Sequence, residues 1–168
     1  SPLRFSVDRL RNFGHYGPEK FEGIGINGKN SELHAAVGLV NLRYIDEIMD
    51  DRKRQHERYD GLLAELALGK PEISEDVEWN RSYYPAVFAS EAEALAVMGA
   101  LAQEDIFARR YFYPTLNSFE YISTPGSTPV ADHISQSILC LPLYFGLENV
   151  QIDRISAVIV SAVEQFRA

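Results

Sequence analysis

Gly23-Ile24-Gly25-Ile26-Asn27-Gly28-Lys29-Asn30-Ser31-Glu32-Leu33-His34-Ala35-Ala36-Val37-Gly38 is the stretch whose reading decides the rest of the chain. A glycine-rich lead-in runs into a polar cluster that can cap a helix, and an apolar-periodic segment follows at once. Ser31 or Asn30 is the natural N-cap, and Glu32 falls in the first turn, where a carboxylate favours the helix dipole. A helix start carries unpaired N–H groups, so a glycine-lined approach with Asn27 and Lys29 beside it reads as an anion site.

Downstream, Leu33, Val37, Val40, Tyr44 and Ile48, then Tyr59, Leu62, Leu63 and Leu66, recur at three- and four-residue steps. Gly69-Lys70-Pro71 stops the pattern. The spacing predicts one long helix over 31–69, about 55 Å if continuous. Its first turns are expected to pack on something outside this chain. Upstream, Leu3, Phe5, Val7, Leu10 and Phe13 predict a short helix or connecting arm, ended by Gly14 and Gly17-Pro18. The chain opens Ser1-Pro2-Leu3-Arg4 with no initiator Met, which reads as a cut end.

Beyond residue 70 the pattern predicts a strand over 77–88, with Pro85 pushing it toward an edge or bulge. Ser90 caps a helix carrying Ala94, Leu95, Val97, Met98 and Leu101. A second strand is expected over 106–114, a loop over 115–129 and a short helix over 130–137. A third strand follows over 138–144, and a last helix over 150–166. The fold class expected is α/β (α+β): a small domain over 70–168 with a three-stranded sheet and helices on one face, after one long helix. Whether its strands run parallel or antiparallel stays open.

Composition bounds the function. The chain has 168 residues, 46% hydrophobic and 24% charged, as in an ordinary soluble globular domain. A net charge of −8 argues against general nucleic-acid binding. The basic run Arg52-Lys53-Arg54 lies among Asp50, Asp51 and Glu57 and reads as a solvated helix face. The single cysteine, Cys140, excludes an intrachain disulfide or a Cys-rich metal site and reads as a small buried apolar residue. No apolar run has membrane-span length and no signal peptide is visible, so a cytoplasmic protein with no membrane partner is expected. His15, His34, His56 and His133 show no metal-ligand spacing, so no metal site is expected, and His34 reads as a packed or capping histidine.

Gly23-x-Gly25-x-x-Gly28 matches the dinucleotide fingerprint formally, and we reject it. No buried strand precedes it, and Asp46, the acidic residue at about the right distance, lies mid-helix. Arg109-Arg110-Tyr111-Phe112-Tyr113-Pro114 is the other chemically rich stretch. Strand alternation sends Arg109, Tyr111 and Tyr113 to one side, Arg110 and Phe112 to the other. Guanidinium groups beside phenols suit a phosphorylated or sugar ligand. From residue types alone, an edge strand with its arginines in solvent is the stronger reading.

The chain resembles a known family through several segments in order. Leu10-Arg11-Asn12-Phe13-Gly14, Gly25 to Gly38, Arg109 to Pro114, and Ile138-Leu139-Cys140-Leu141-Pro142-Leu143-Tyr144 are similar to the nucleotide-sugar aminotransferases of the DegT/DnrJ/StrS family. The resemblance implies the small C-terminal domain of a fold-type I, pyridoxal-phosphate-dependent transferase. Residues 1–30 would then be an arm and glycine-rich turn from a missing large domain, and 31–69 the helix connecting it to residues 70–168. The family's Schiff-base lysine lies in a Ser-Phe-x-x-x-Lys segment, and Lys20, Lys29, Lys53 and Lys70 all lack that context. No catalytic residue is therefore expected in this chain, and no cofactor is expected bound to it alone.

Position by position, the resemblance assigns Asn27 to the cofactor phosphate of a neighbouring subunit, with Lys29 a lesser candidate. Tyr111 and Tyr113, with Arg110, would border the sugar. Asn30 departs from the family, which usually has Met or Leu there. The parent would be a homodimer moving an amino group from glutamate to a nucleotide-linked keto-deoxysugar, with the Arg-Arg-Tyr-Phe-Tyr-Pro version pointing to a dTDP-linked one. Two alternatives stand beside it: a non-catalytic binding or dimerisation module on the same scaffold, and a pyridoxamine-phosphate-dependent sugar dehydratase of the same family.

Overall fold

The computed structural model describes residues 2–16, 23–119 and 126–168; Gly17-Pro18, Lys20 and part of the loop expected over 115–129 lie outside them. The chain divides into two units, Ser1–Ile45 and Asp46–Ala168.

In the first unit, α1 (Pro2–Leu10) starts on a proline, whose fixed φ suits a first helical position. The segment after it lies against the glycine-rich stretch. Ile26 N–H donates to the Leu10 carbonyl (2.8 Å), Phe13 N–H to Ile26 (3.1 Å) and Gly28 N–H to Arg11 (2.8 Å). Backbones meet so closely that a Cβ on Gly25 would stand 2.2 Å from the Gly14 nitrogen, and Gly14 itself has φ +78°. α2 (Glu32–Leu42) follows, N-capped by Ser31. Gly14 is the one buried residue among those described in this unit, while Leu33 (73% exposed), Leu39, Leu42 and Ile24 all stand in the open.

The long helix expected over 31–69 is two helices. α2 ends in 3₁₀-type bonds, Arg43 N–H to Val40 and Tyr44 N–H to Asn41 (both 3.0 Å), and α3 (Ile45–Leu62) starts afresh. Gly38 and Asn41 have poor helix propensity, and no residue of α2 is buried in core packing that could override it. A 3₁₀ turn at Ala64–Leu66 follows α3, and Ala67 in the left-handed region ends it.

The second unit holds the core. β1 (Tyr84–Val87) and β2 (Ile138–Leu141) pair antiparallel, in register Tyr84↔Leu141 to Val87↔Ile138. The sheet has two strands among the described residues, not three. The segment expected as a strand over 106–114 contributes one bridge, Arg109 to Cys140 (3.1 and 2.8 Å), before the chain turns at Tyr111–Phe112. On the far side of β1, Gly69 makes a similar single bridge to Val87. Pro85 faces Cys140, whose N–H and carbonyl both point to Arg109, so the ladder asks no donor of the proline.

α4 (Glu91–Gln103) is capped by Ser90, which accepts from Glu93 N–H at 3.2 Å. It ends in a Schellman arrangement, Ile106 N–H to Leu101 (2.9 Å) and Asp105 N–H to Ala102 (3.2 Å), with Asp105 at φ +57°. That reversal returns the chain along β2 and delivers Arg109. α5 (Pro129–Ser137) leads into β2, and α6 (Asn149–Arg167) packs across α4. The core gathers Tyr59, Tyr84, Phe88, Leu139, Ile152 and Ile159, each almost wholly buried. Cys140 is buried beside it, as its apolar neighbours imply.

His56 is buried on α3 between the Trp79 and Tyr84 rings (4.7 and 4.9 Å). Burial lowers its pKa below 6.5; the Asp60 charge opposes this, Arg81 adds to it, and bonds with the Tyr83 and Arg81 backbone oppose it. The folded chain keeps this imidazole neutral while the unfolded chain binds its proton near pH 6.5, so His56 contributes stability above that pH. That contribution is lost as pH falls toward the folded value. Urea midpoints should drop between pH 7.5 and 5.5, and a His56→Gln chain should drop less; equal slopes would contradict it.

Candidate functional site

The glycine-rich turn behaves differently from a backbone anion nest. The Ile26 and Gly28 amides are spent on Leu10 and Arg11, and the Ser31 hydroxyl accepts from His34 N–H (3.3 Å). His34 Nδ1 lies 2.8 Å from the same hydroxyl, so this histidine belongs to the cap. Glu32 adds negative charge in the first turn of α2, which disfavours an anion there. Lys29 donates to Asn12 Oδ1 (3.1 Å) and sits over the Phe13 ring at 4.5 Å. Asn27 is exposed, and its side-chain amide has no hydrogen bond among the described residues. What can meet an anion in this turn is therefore a side chain, on a backbone braced by its bridge to Asn12.

In the second unit the expected alternation over 109–113 does not hold, because the chain turns after Arg110. Arg110 donates to Glu91 Oε1 (2.6 Å) and to the Gln136 carbonyl (3.0 Å), and its guanidinium lies 3.5 Å from the Tyr113 ring centre. Alternation would have put that guanidinium and that ring on opposite faces. Tyr113 lines an apolar cleft of about 720 Å³ with Phe112, Leu116, Phe119 and Ile134. Tyr111 points elsewhere, stacking on Tyr83 at 5.1 Å and on Phe112 at 4.5 Å. A hydrogen bond to Tyr111 pushes the Tyr83 phenol above its usual pKa, while the nearby Arg109 charge pulls the other way. Arg110, Tyr111 and Tyr113 are thus close in space but do not share one surface.

Beside Tyr83 and Arg109 a hollow of about 310 Å³ runs along Pro142 and Tyr144. Sequence analysis gave no functional role to Tyr83 or Tyr144, which lie 61 residues apart in no periodic relation. Among the described residues, no group of three His, Cys, Asp or Glu could hold a metal ion, and no helix is long and apolar enough to cross a membrane.

The chain's sequence, compared over nearly its whole length, places it in a family. It belongs to the DegT/DnrJ/EryC1/StrS aminotransferase family, whose model matches residues 3–160. It is 31% identical to a dTDP-4-amino-4,6-dideoxy-D-glucose transaminase of Shigella dysenteriae, over 88% of this chain and 42% of that protein. A protein of the same name from Escherichia coli is 29% identical over 94% of this chain and 44% of its own length. Among solved structures, DesI with its TDP-sugar product superposes with a TM-score of 0.80 at 26% identity, covering 98% of this chain and 44% of DesI. The chain spans less than half the length of these relatives.

Proposed function

We propose that this chain is the C-terminal part of a pyridoxal-phosphate-dependent aminotransferase that moves an amino group from glutamate to a dTDP-linked keto-deoxysugar. The observation that carries the reading is the match of nearly the whole chain to dTDP-sugar transaminases. The parent works as a homodimer in the cytoplasm, and this chain alone is inactive. Its first unit, with apolar side chains exposed throughout, is built to be covered by polypeptide beyond this chain.

The residues present fit the phosphate end of the cofactor. Asn27 offers an unpartnered amide on a braced turn, whereas Lys29 is engaged with Asn12 and Phe13. When bound, the cofactor supplies the amino-group carrier and electron sink. Asn27 would be the residue that holds the phosphate of a neighbouring subunit's cofactor, by donating a hydrogen bond that fixes its orientation. Tyr111 and Tyr113 border the sugar, and Arg110 fixes the Tyr113 ring by lying on its face.

The test is product analysis with the full-length protein that contains this chain, given a dTDP-linked 4-keto-6-deoxyhexose and glutamate. Amino sugar and 2-oxoglutarate are expected in equal amounts. Loss of water from the sugar without amination would make the parent a dehydratase, and no conversion with any nucleotide-linked keto-sugar would leave the binding-module reading.

A further inference from the structure

The glycine-rich turn carries a reactive pair that no binding role uses. Among the chain's asparagines, Asn27 alone is followed by glycine. Asn12, Asn41, Asn80 and Asn149 precede larger side chains, and Asn30 and Asn117 precede serine. Gly28 has no Cβ to keep its nitrogen away from the amide carbon of the residue before it. The Asn27 side chain is exposed and has no hydrogen bond among the described residues, so it is free to rotate toward that nitrogen. By contrast, the Asn117 amide is held by the Gly126 carbonyl (3.1 Å).

The fold restrains the attacking atom and leaves the target loose. Gly28 N–H donates to the Arg11 carbonyl (2.8 Å), and the bridge between Asn12 and Asn27 fixes the backbone beside it. While that bond stands, the nitrogen keeps its proton and is turned to Arg11. The restraint is a light one. Residues 26–28 are tied to residues 10–13 by the Ile26, Phe13 and Gly28 amides. Side chains add little, since Phe13 is 48% exposed and Ile26 70%. A segment with so few buried contacts opens locally at far less cost than the core does.

We propose that Asn27-Gly28 is a self-modification site that reacts when this turn opens, converting the Asn27 amide to a carboxylate. The Gly28 nitrogen attacks Asn27 Cγ, the Cγ–Nδ2 bond breaks, and ammonia leaves with the proton from the Gly28 nitrogen. Water then adds to the cyclic imide. Opening at Cγ leaves aspartate, and opening at the backbone carbonyl carbon leaves isoaspartate. Either product puts a negative charge where the amide stood. Isoaspartate also routes the main chain through the side chain, one carbon longer, which takes the bridge to Asn12 out of register. The functional consequence rests on the cofactor-phosphate reading above: a carboxylate at this position repels a phosphate that the amide would hold. A bound phosphate would in turn occupy the amide and keep the turn closed, so the loss falls on parent molecules without cofactor.

The test is peptide mass spectrometry after incubation at mildly alkaline pH. Samples are the full chain in buffer, the full chain in urea, and the full-length parent with and without cofactor. Asn27 should gain the mass of an amide turned acid ahead of Asn30 and Asn117. Urea should speed the gain about fivefold or more, the worth of the freed Gly28 bond. Gly28→Ala should slow it in urea, where folding plays no part, and Asn27→Gln should abolish it. No gain at Asn27, equal rates in urea and buffer, or indifference to Gly28→Ala would overturn the proposal. Conversion as fast in the cofactor-loaded parent as in the cofactor-free one would sink the phosphate reading and leave the modification standing.

Discussion

Replacing Glu93 by alanine is expected to cost the second unit about 3 kcal/mol of stability. Its carboxylate is buried, with 1% of the side chain exposed, and both oxygens are used. Oε2 accepts from Ala89 N–H at 2.8 Å, and Oε1 accepts from Arg167 Nε at 2.6 Å. Ser90 accepts from the backbone of Glu93, so the pair also closes the N-terminus of α4. Arg167 reaches on to the Leu66 carbonyl (3.4 Å), which ties the end of α6 to the turn after α3. Alanine would strand the Ala89 amide, remove half of the cap and release the last turn of α6. The figure sits at the low end for a broken buried pair because Arg167, 43% exposed, can be rehydrated. Glu93→Gln, which keeps an acceptor for Ala89, should lose less. Urea unfolding measures both, and a loss below about 1 kcal/mol for the alanine variant would contradict the role given to Glu93.

Local signals carried far in this chain. Ser31 or Asn30, and Ser90, read as N-caps because each precedes an apolar-periodic run, and the two serines accept the bond a cap should accept. The last helix was legible from Ile152, Ile155 and Ile159, which all face the core. Illegible were the features set by distant contacts. The strand expected over 106–114 shrank to one bridge because α4 ends in a left-handed Asp105 and the chain turns again after Arg110, and no residue-type rule marks either position. The break at Arg43–Tyr44 depended on α2 having no core to pack against, which composition does not reveal.

The site divides in the same way. Arg109 to Tyr113 read as chemically rich, yet alternation could not say which arginine is consumed by Glu91 and which stays unpaired. The glycine-rich turn read as a set of backbone donors. Folding spends the Ile26 and Gly28 amides on Leu10 and Arg11, and leaves the Asn27 amide open instead.

That open amide is where the reading of the chain can be tested most directly. On the proposed reading, Asn27→Ala in the full-length parent should remove one charge-assisted hydrogen bond from the cofactor phosphate. It should disturb little else, because the side chain is exposed and unpartnered among the described residues. The measurement is the rate of cofactor release, followed by its absorbance after transfer into cofactor-free buffer. The expected result is release about tenfold faster or more in the variant, with KM for the nucleotide sugar unchanged. An unchanged release rate, with the variant folded, would contradict the assignment of this turn to a cofactor phosphate.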